Sequence, residues 1–500
     1  MEKDASTPPV QVTSKRWIFC AHDDTVKNLP PIFQLGPFDQ LTVHYLPVAV
    51  IFTYDAASSG HKEPISVGHL ERALSRLLDY YPHLTGRRRI NPVDGTAELD
   101  QMGSGAALYT AECSSRLNAF YTKLPDGQTH LAMSDLPGSG EQLIAPSEAT
   151  LEGAAADPIL TVQYTRFACG SVSLGICLQH IVCDLDGFMQ LTRDLAEIYR
   201  GVVDAEAAGQ THLDVALNAA PYIQSHVPDN CERESAADEQ VENYTPETNT
   251  TSSASPSSAA ARPDPPPPVI GKVLRFSGAE LRSIKDAATD ASGGGWASTF
   301  EALSAHLWQC VHRARTQLNP ERAQGSGETL ATCSDFLAPV NCRPRLELPP
   351  RYFPNAVICP YARLPFATLQ HAPLPKIAQT LHDAIQAVTP ARIEGTLRYI
   401  AAQAGKGPVK QRFRHGPDSF IVTSWNKVDM YGVYFDKETK IAPVLASAPF
   451  TPISLVNGLA YFLPTGPQKY SDGAIDVSLT LYEPVFEALE KDPDFRKFKQ

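Results

Sequence analysis

The chain has no hydrophobic run long enough to cross a bilayer: no window approaches the roughly 20 unbroken apolar residues that a spanning helix needs. No membrane association is expected. The amino terminus, MEKDASTPPVQVTSKRW, lacks both the apolar core of a secretion signal and the arginine-rich amphipathic pattern of a transit peptide, so the expected location is cytoplasmic. Cysteine is scarce and scattered, ten in 500 residues with no C-x-x-C pair, which reads as free thiols in a reducing compartment. Positive charge is in deficit, with 43 Lys and Arg against 55 Asp and Glu and a formal charge of −12. Such a chain has no global basic field to hold a nucleic acid or an anionic membrane.

Several catalytic signatures are missing too. Without G-x-x-x-x-G-K-[ST], H-E-x-x-H or G-x-G-x-x-G, nucleotide hydrolysis, zinc proteolysis and dinucleotide binding have no support, and no metal site is expected. A serine-hydrolase elbow would read G-x-S-x-G; the nearest approach, SVSLG at 171–175, lacks the first glycine and lies inside an expected strand.

What is present is a globular composition, 43% hydrophobic and 20% charged, with length for two domains. The clearest composition shift covers residues 205–268, whose end, ARPDPPPP, follows a Ser/Thr-rich tract without large apolar side chains. Such a stretch cannot bury enough surface to offset its chain entropy, so a disordered crossover linker is expected between domains of 1–204 and 269–500. Residues 66–81 place Leu70, Leu74, Leu77, Leu78 and Tyr81 at helical spacing before Pro82. Residues 171–180 alternate with period two through Val172, Leu174, Ile176 and Leu178, which marks a strand. Helical spacing returns over 187–200, with Gly201 read as the stop. In the second half Ser298 and Glu301 have capping-box spacing ahead of a helix burying Phe300, Leu303, Leu307 and Val311. Residues 418–425 and 475–481 read as strands, so both halves are mixed α/β.

The turn after the first strand is His180-Ile-Val-Cys-Asp184. An H-x-x-x-D match alone is weak, and a histidine at a strand end is more often structural. Position strengthens it: His180 continues the apolar face to the strand's carboxyl end, where open α/β sheets place ligands, and imidazole is the side chain best suited to act as a base near neutral pH.

QHIVCDLDGF, STFEALSAHLWQCVHRAR, APVNCRPRLELPPRYFPNAV, TSWNKVDMYGVYF and LERALSRLLDYYPHLTGRRR together resemble the BAHD acyl-CoA-dependent acyltransferases, and fungal members more than plant ones. The match departs at Tyr434-Phe-Asp-Lys-Glu438, where the family's D-F-G-W-G keeps only Phe435, and at Leu185, where many members have the glycine that comes here at Gly187. The resemblance implies two similar chloramphenicol-acetyltransferase-like α/β domains, each a mixed sheet with helices, with the reaction channel at their interface. It implies a monomer that moves an acyl group, acetyl by default, from acyl-CoA as co-substrate to a hydroxyl or amine of a small specialised metabolite. No cofactor is permanently bound.

By carry-over, His180 takes the proton from the acceptor in a ternary complex. Asp184 orients the turn, most plausibly by pairing with Arg343, and can also cap the next helix. Thr423 and Trp425 are the candidate donors to the oxyanion, although a Trp at a strand end is as often core packing. Lys406, Lys410, Arg412 and Arg414 form the densest basic cluster and are candidates for the phosphates of CoA, with a solvated loop as the plainer reading. For Asn355 and Tyr352 a site role and a loop-stabilising role both stay open, as do binding and structural roles for Arg87, Arg88 and Arg89. Two other functions stay in view. One is a carrier-dependent condensation domain, against which Gln179 stands where that group has a second histidine; the other is a non-catalytic relative that kept the fold.

Overall fold

The computed structural model describes residues 9–43, 45–59, 63–123, 129–148, 150–210, 215–229, 244–246, 266–289, 296–320, 332–402, 409–466 and 472–499. Two six-stranded mixed sheets form its frame. The first runs, in spatial order, Val10–Ile18, Ala106–Cys113, Leu160–Phe167, Val172–Gln179, Pro47–Tyr54 and Leu445–Ser447. The second runs Val269–Phe276, Ile475–Tyr482, Leu459–Pro464, Phe420–Ser424, Cys333–Leu337 and Tyr361–Pro365. Most neighbours are antiparallel; Ala106–Cys113 with Leu160–Phe167, and Phe420–Ser424 with both its neighbours, are parallel.

Each sheet is closed on one face by helices whose apolar stripes follow the expected spacing. Helix Val67–Tyr80 buries Leu70, Leu74, Leu77 and Leu78 in one core with Leu174, Ile176 and Leu178 of the strand before His180. In the second body Ser298 accepts from the Glu301 N–H at 3.2 Å while Glu301 accepts from the Ser298 N–H at 2.6 Å. That reciprocal cap starts helix Thr299–Leu318, which buries Leu303, Leu307, Trp308 and Val311 against the second sheet.

Three features differ from the sequence reading. Gly201 does not stop its helix, which runs from Leu185 to Ala207. A Cβ at Gly201 would lie 2.3 Å from Val215 Cγ1, so the missing side chain makes room for the returning chain. The crossover is only partly covered by the described residues, and what is described is ordered: Leu217 is buried in the first core, and Tyr244–Pro246 pairs antiparallel with Val409–Gln411.

The sheets also do not divide the chain at the crossover. After Phe420–Ser424 the chain leaves the second body; Trp425, Met430, Tyr431, Val433 and Phe435 enter the first core, and Leu445–Ser447 pairs with Ile51–Thr53 as an edge strand of the first sheet. Phe435, the survivor of the altered family signature, packs edge-on against both Tyr54 and Tyr199. Its segment is a splice between the two bodies.

Candidate active site

His180 follows the last residue of strand Val172–Gln179, and its backbone N–H donates to the Leu46 carbonyl at 3.0 Å. Its ring Nδ1 lies 3.2 Å from Asn355 Oδ1. The assignment of that amide comes from its other contacts: Asn355 Nδ2 donates to Asp39 Oδ1 at 2.8 Å and to the His180 carbonyl at 2.9 Å, both pure acceptors. Oδ1 therefore faces the ring and accepts from Nδ1–H. The tautomer this network assigns carries its lone pair on Nε2, which has no partner among the described residues.

Asp184 makes both a helix cap and an ion pair. As the N-cap of helix Leu185–Ala207 its Oδ1 accepts from the Gly187 N–H at 3.2 Å. The Arg343 guanidinium also grips it fork to fork, at 2.8 and 2.9 Å, and the Ala356 N–H adds a bond at 2.9 Å. Arg343 gives two further donors to the Tyr352 and Pro354 carbonyls, so one cation joins the H-x-x-x-D turn to the strip that carries Asn355. Gly187 allows the approach: a Cβ there would stand 2.0 Å from the Phe353 carbonyl oxygen.

Asp39 escaped the sequence reading. It lies wholly buried in the short helix Pro37–Gln40 and accepts from the Gly36 and Asn355 N–H groups, from Asn355 Nδ2 and from Ser225 Oγ. Burial pushes its carboxyl up to about 6, against the pull of those donors. No local pattern marked it, because every partner beyond Gly36 arrives from a distant part of the chain. His83 is likewise buried, stacked on Phe33 and edge-on to Phe353, and burial pushes it down to about 3.

Trp425 and Thr423 are joined to each other: the indole Nε1–H donates to Thr423 Oγ1 at 3.1 Å, and Trp425 is buried beside Tyr461. The indole donor is thus occupied, and the hydroxyl hydrogen of Thr423 is left to point elsewhere. No described hydrogen bond ties either residue to His180.

The basic cluster divides. Lys406 lies outside the described residues, and Lys410 falls in the short strand Val409–Gln411. Arg412 is exposed. Arg414 is engaged by Asp335, donating to both of its carboxylate oxygens, one of them at 2.7 Å, while Arg363 takes the same carboxylate from the other side. That ion cluster makes Arg414 a structural cation. The triple arginine is structural as well: Arg87 donates to the Gly86 and Gly105 carbonyls, Arg88 is buried and reaches the Leu151 carbonyl, and Arg89 pairs with Glu98.

Among the described residues no three His, Cys, Asp or Glu side chains are grouped to hold a metal ion, and no helix is long and apolar enough to cross a membrane. The site is therefore an imidazole with a defined free nitrogen at the end of the first sheet, backed by residues of the second half.

The family model described as Transferase family matches residues 8–495. Rosmarinate synthase of Plectranthus scutellarioides is 26% identical over 433 residues, 84% of this chain and 86% of that relative. Acyltransferase GLAUCE of Arabidopsis thaliana is 23% identical over 425 residues, 84% of this chain and 80% of that one. Among solved structures, TRI101 of F. sporotrichioides, complexed with coenzyme A and T-2, superposes with a TM-score of 0.63 at 20% identity, covering 93% of this chain and 98% of that one. Vinorine synthase superposes with a TM-score of 0.61 at 16% identity, covering 96% of each chain. The chain belongs to the Transferase family, the BAHD acyltransferases that its motifs resemble.

Proposed function

We propose that this protein transfers an acyl group, acetyl by default, from acyl-CoA to a hydroxyl or amine of a small specialised metabolite, as a cytoplasmic monomer with its reaction channel between the two bodies. The observation that carries the reading is the His180 tautomer: Nδ1–H is tied to Asn355 and Nε2 is left with its lone pair. Nε2 takes the proton from the acceptor as its oxygen or nitrogen attacks the thioester carbonyl, and returns it to the departing CoA sulfur as the C–S bond breaks. No covalent enzyme intermediate is needed.

Asp184 and Arg343 hold the turn and stay out of the proton transfer. For the oxyanion the donor we favour is the Thr423 hydroxyl, polarised by the Trp425 indole that donates to it at 3.1 Å. Lys406, Lys410 and Arg412 remain the cations proposed for the phosphates of CoA, now without Arg414.

The test is release of free CoA thiol from a panel of acyl-CoAs with a metabolite extract as the acceptor source. His180→Ala should lower turnover by about 100- to 10,000-fold while CoA still raises the melting temperature. Equal release from wild type and variant overturns the base assignment. No release from any donor, with no stabilisation by CoA, overturns the transferase reading in favour of a carrier-dependent or non-catalytic relative.

A further inference from the structure

We propose that the crossover between the two halves is part of the catalytic support: Ser225 and Asp39 form a positioning relay that acts through Asn355 on the ring of His180. The inference rests on the reading of His180 as the base. Three hydrogen bonds make the relay, Ser225 Oγ to Asp39 Oδ2 at 2.6 Å, Asn355 Nδ2 to Asp39 Oδ1 at 2.8 Å, and His180 Nδ1 to Asn355 Oδ1 at 3.2 Å.

The role of each member follows from what it can donate. An ionised carboxylate only accepts, so Asp39 draws the NH₂ of Asn355 towards itself and leaves Oδ1 for the imidazole. Were the amide turned over, its NH₂ would face Nδ1, the ring proton would move to Nε2, and the base would present a hydrogen where it needs a lone pair. The carbonyl of His180 reinforces the same orientation at 2.9 Å, so the amide is held from two sides. Asp39 is therefore a positioning residue: the described hydrogen bonds of its carboxylate reach Asn355, Ser225 and Gly36, and it acts on the imidazole only through Asn355.

Ser225 comes from the crossover, and the crossover is fastened there. The Tyr222 N–H donates to the Arg351 carbonyl and the Phe353 N–H to the Tyr222 carbonyl, each at 2.9 Å, which runs this stretch alongside the strip carrying Asn355. Further on, the His226 N–H donates to the Tyr352 hydroxyl at 2.7 Å, and its ring lies 3.1 Å from Glu394. The glycine before the Asp39 helix gives the access: a Cβ on Gly36 would stand 2.6 Å from Ser225 Cβ. A segment that the sequence marks as a tether thus supplies a hydroxyl to a wholly buried carboxylate two hydrogen bonds from the base.

The experiment compares steady-state thiol release by the full chain in Asp39→Asn, Ser225→Ala and the double variant. Asparagine at 39 both donates and accepts, so it no longer dictates the Asn355 amide; the expected result is a fall in kcat of about 100-fold with KM for acyl-CoA within about twofold. Ser225→Ala should lower kcat by about tenfold, again with KM for acyl-CoA within about twofold. The double variant should be no slower than Asp39→Asn alone, because Ser225 acts only through Asp39. Unchanged kcat in Asp39→Asn, or losses that multiply in the double variant, overturn the relay. Should Asp39→Asn fail to fold, Ser225→Ala decides alone: a kcat loss at constant KM supports the relay, and wild-type kcat overturns it. A His180→Ala enzyme that still turns over removes the base reading and the relay with it, whereas an inactive one beside an unimpaired Asp39→Asn removes the relay only.

Discussion

Arg343 and Asp184, 159 positions apart in sequence, meet through two parallel N–H···O bonds of 2.8 and 2.9 Å. The pair sets the distance between the end of the first sheet and the strip Tyr352–Ala356, because Arg343 bonds two carbonyls of that strip while Asp184 caps the helix that follows His180. Both side chains are mostly buried, so the geometry is fixed by packing as well as by charge. The His180–Asn355 contact inherits its register from this clamp.

Removing one partner from such a pair strands the other charge out of water. Arg343→Ala should therefore lower the unfolding free energy by about 3–5 kcal/mol, read from the urea midpoint. Arg343→Lys keeps the charge but not the planar fork, and should fall between wild type and alanine. A lysine variant as stable as wild type would show that charge alone suffices.

Gly187 tests the close approach from the other side. Alanine there brings a Cβ to 2.0 Å from the Phe353 carbonyl oxygen, and backbone cannot swing away as a side-chain tip can. The strip must move, taking Asn355 from the imidazole, and a displacement near 1 Å is worth about 100-fold in rate. Gly68→Ala is the control: a Cβ there would come no closer than 4.0 Å to Ser66 Oγ, and stability should rise by up to about 1 kcal/mol with activity intact. Wild-type turnover in Gly187→Ala would mean the strip does not need its present position.

Periodicity and end signals made much of this molecule legible. The Leu70, Leu74, Leu77 and Leu78 stripe, the Ser298–Glu301 box and the alternation up to His180 all depend on neighbours within a few residues. Arg343 as the partner of Asp184 came from the family resemblance, in which NCRPR belongs to a matched segment, and not from any local pattern. What stayed hidden is tertiary. Gly201 looks like a stop because local rules do not contain Val215, and Arg414 looks like a free cation because they do not contain Asp335. Asp39 gave no signal at all: a single acid in GPFDQL acquires its meaning only when Asn355 and Ser225 arrive.

His306, a buried histidine of the second body, makes the pH dependence of stability testable away from the site. Its Nε2–H donates to the Phe495 carbonyl at 3.0 Å within helix Thr299–Leu318, and burial pushes its pKa down to about 4 from an ordinary 6.5. Below 6.5 the unfolded chain binds a proton at this position that the folded chain refuses until about 4, so the contribution is whole above 6.5 and is lost as pH falls through that window. The loss amounts to about 3 kcal/mol. Asp39 works with the opposite sign. Its pKa of about 6 exceeds the ordinary 3.8, so its folded form gains a proton first and stability from this group rises as pH falls from about 6 towards 3.8. The two partly cancel between pH 6 and 4, and single substitutions separate them. His306→Gln keeps an N–H donor for Phe495 without a titrating ring, and should flatten the decline of the urea midpoint between pH 7 and 4.5. Asp39→Asn removes the compensating gain and should steepen it. A His306→Gln profile parallel to that of wild type would place the acid sensitivity of the second body elsewhere.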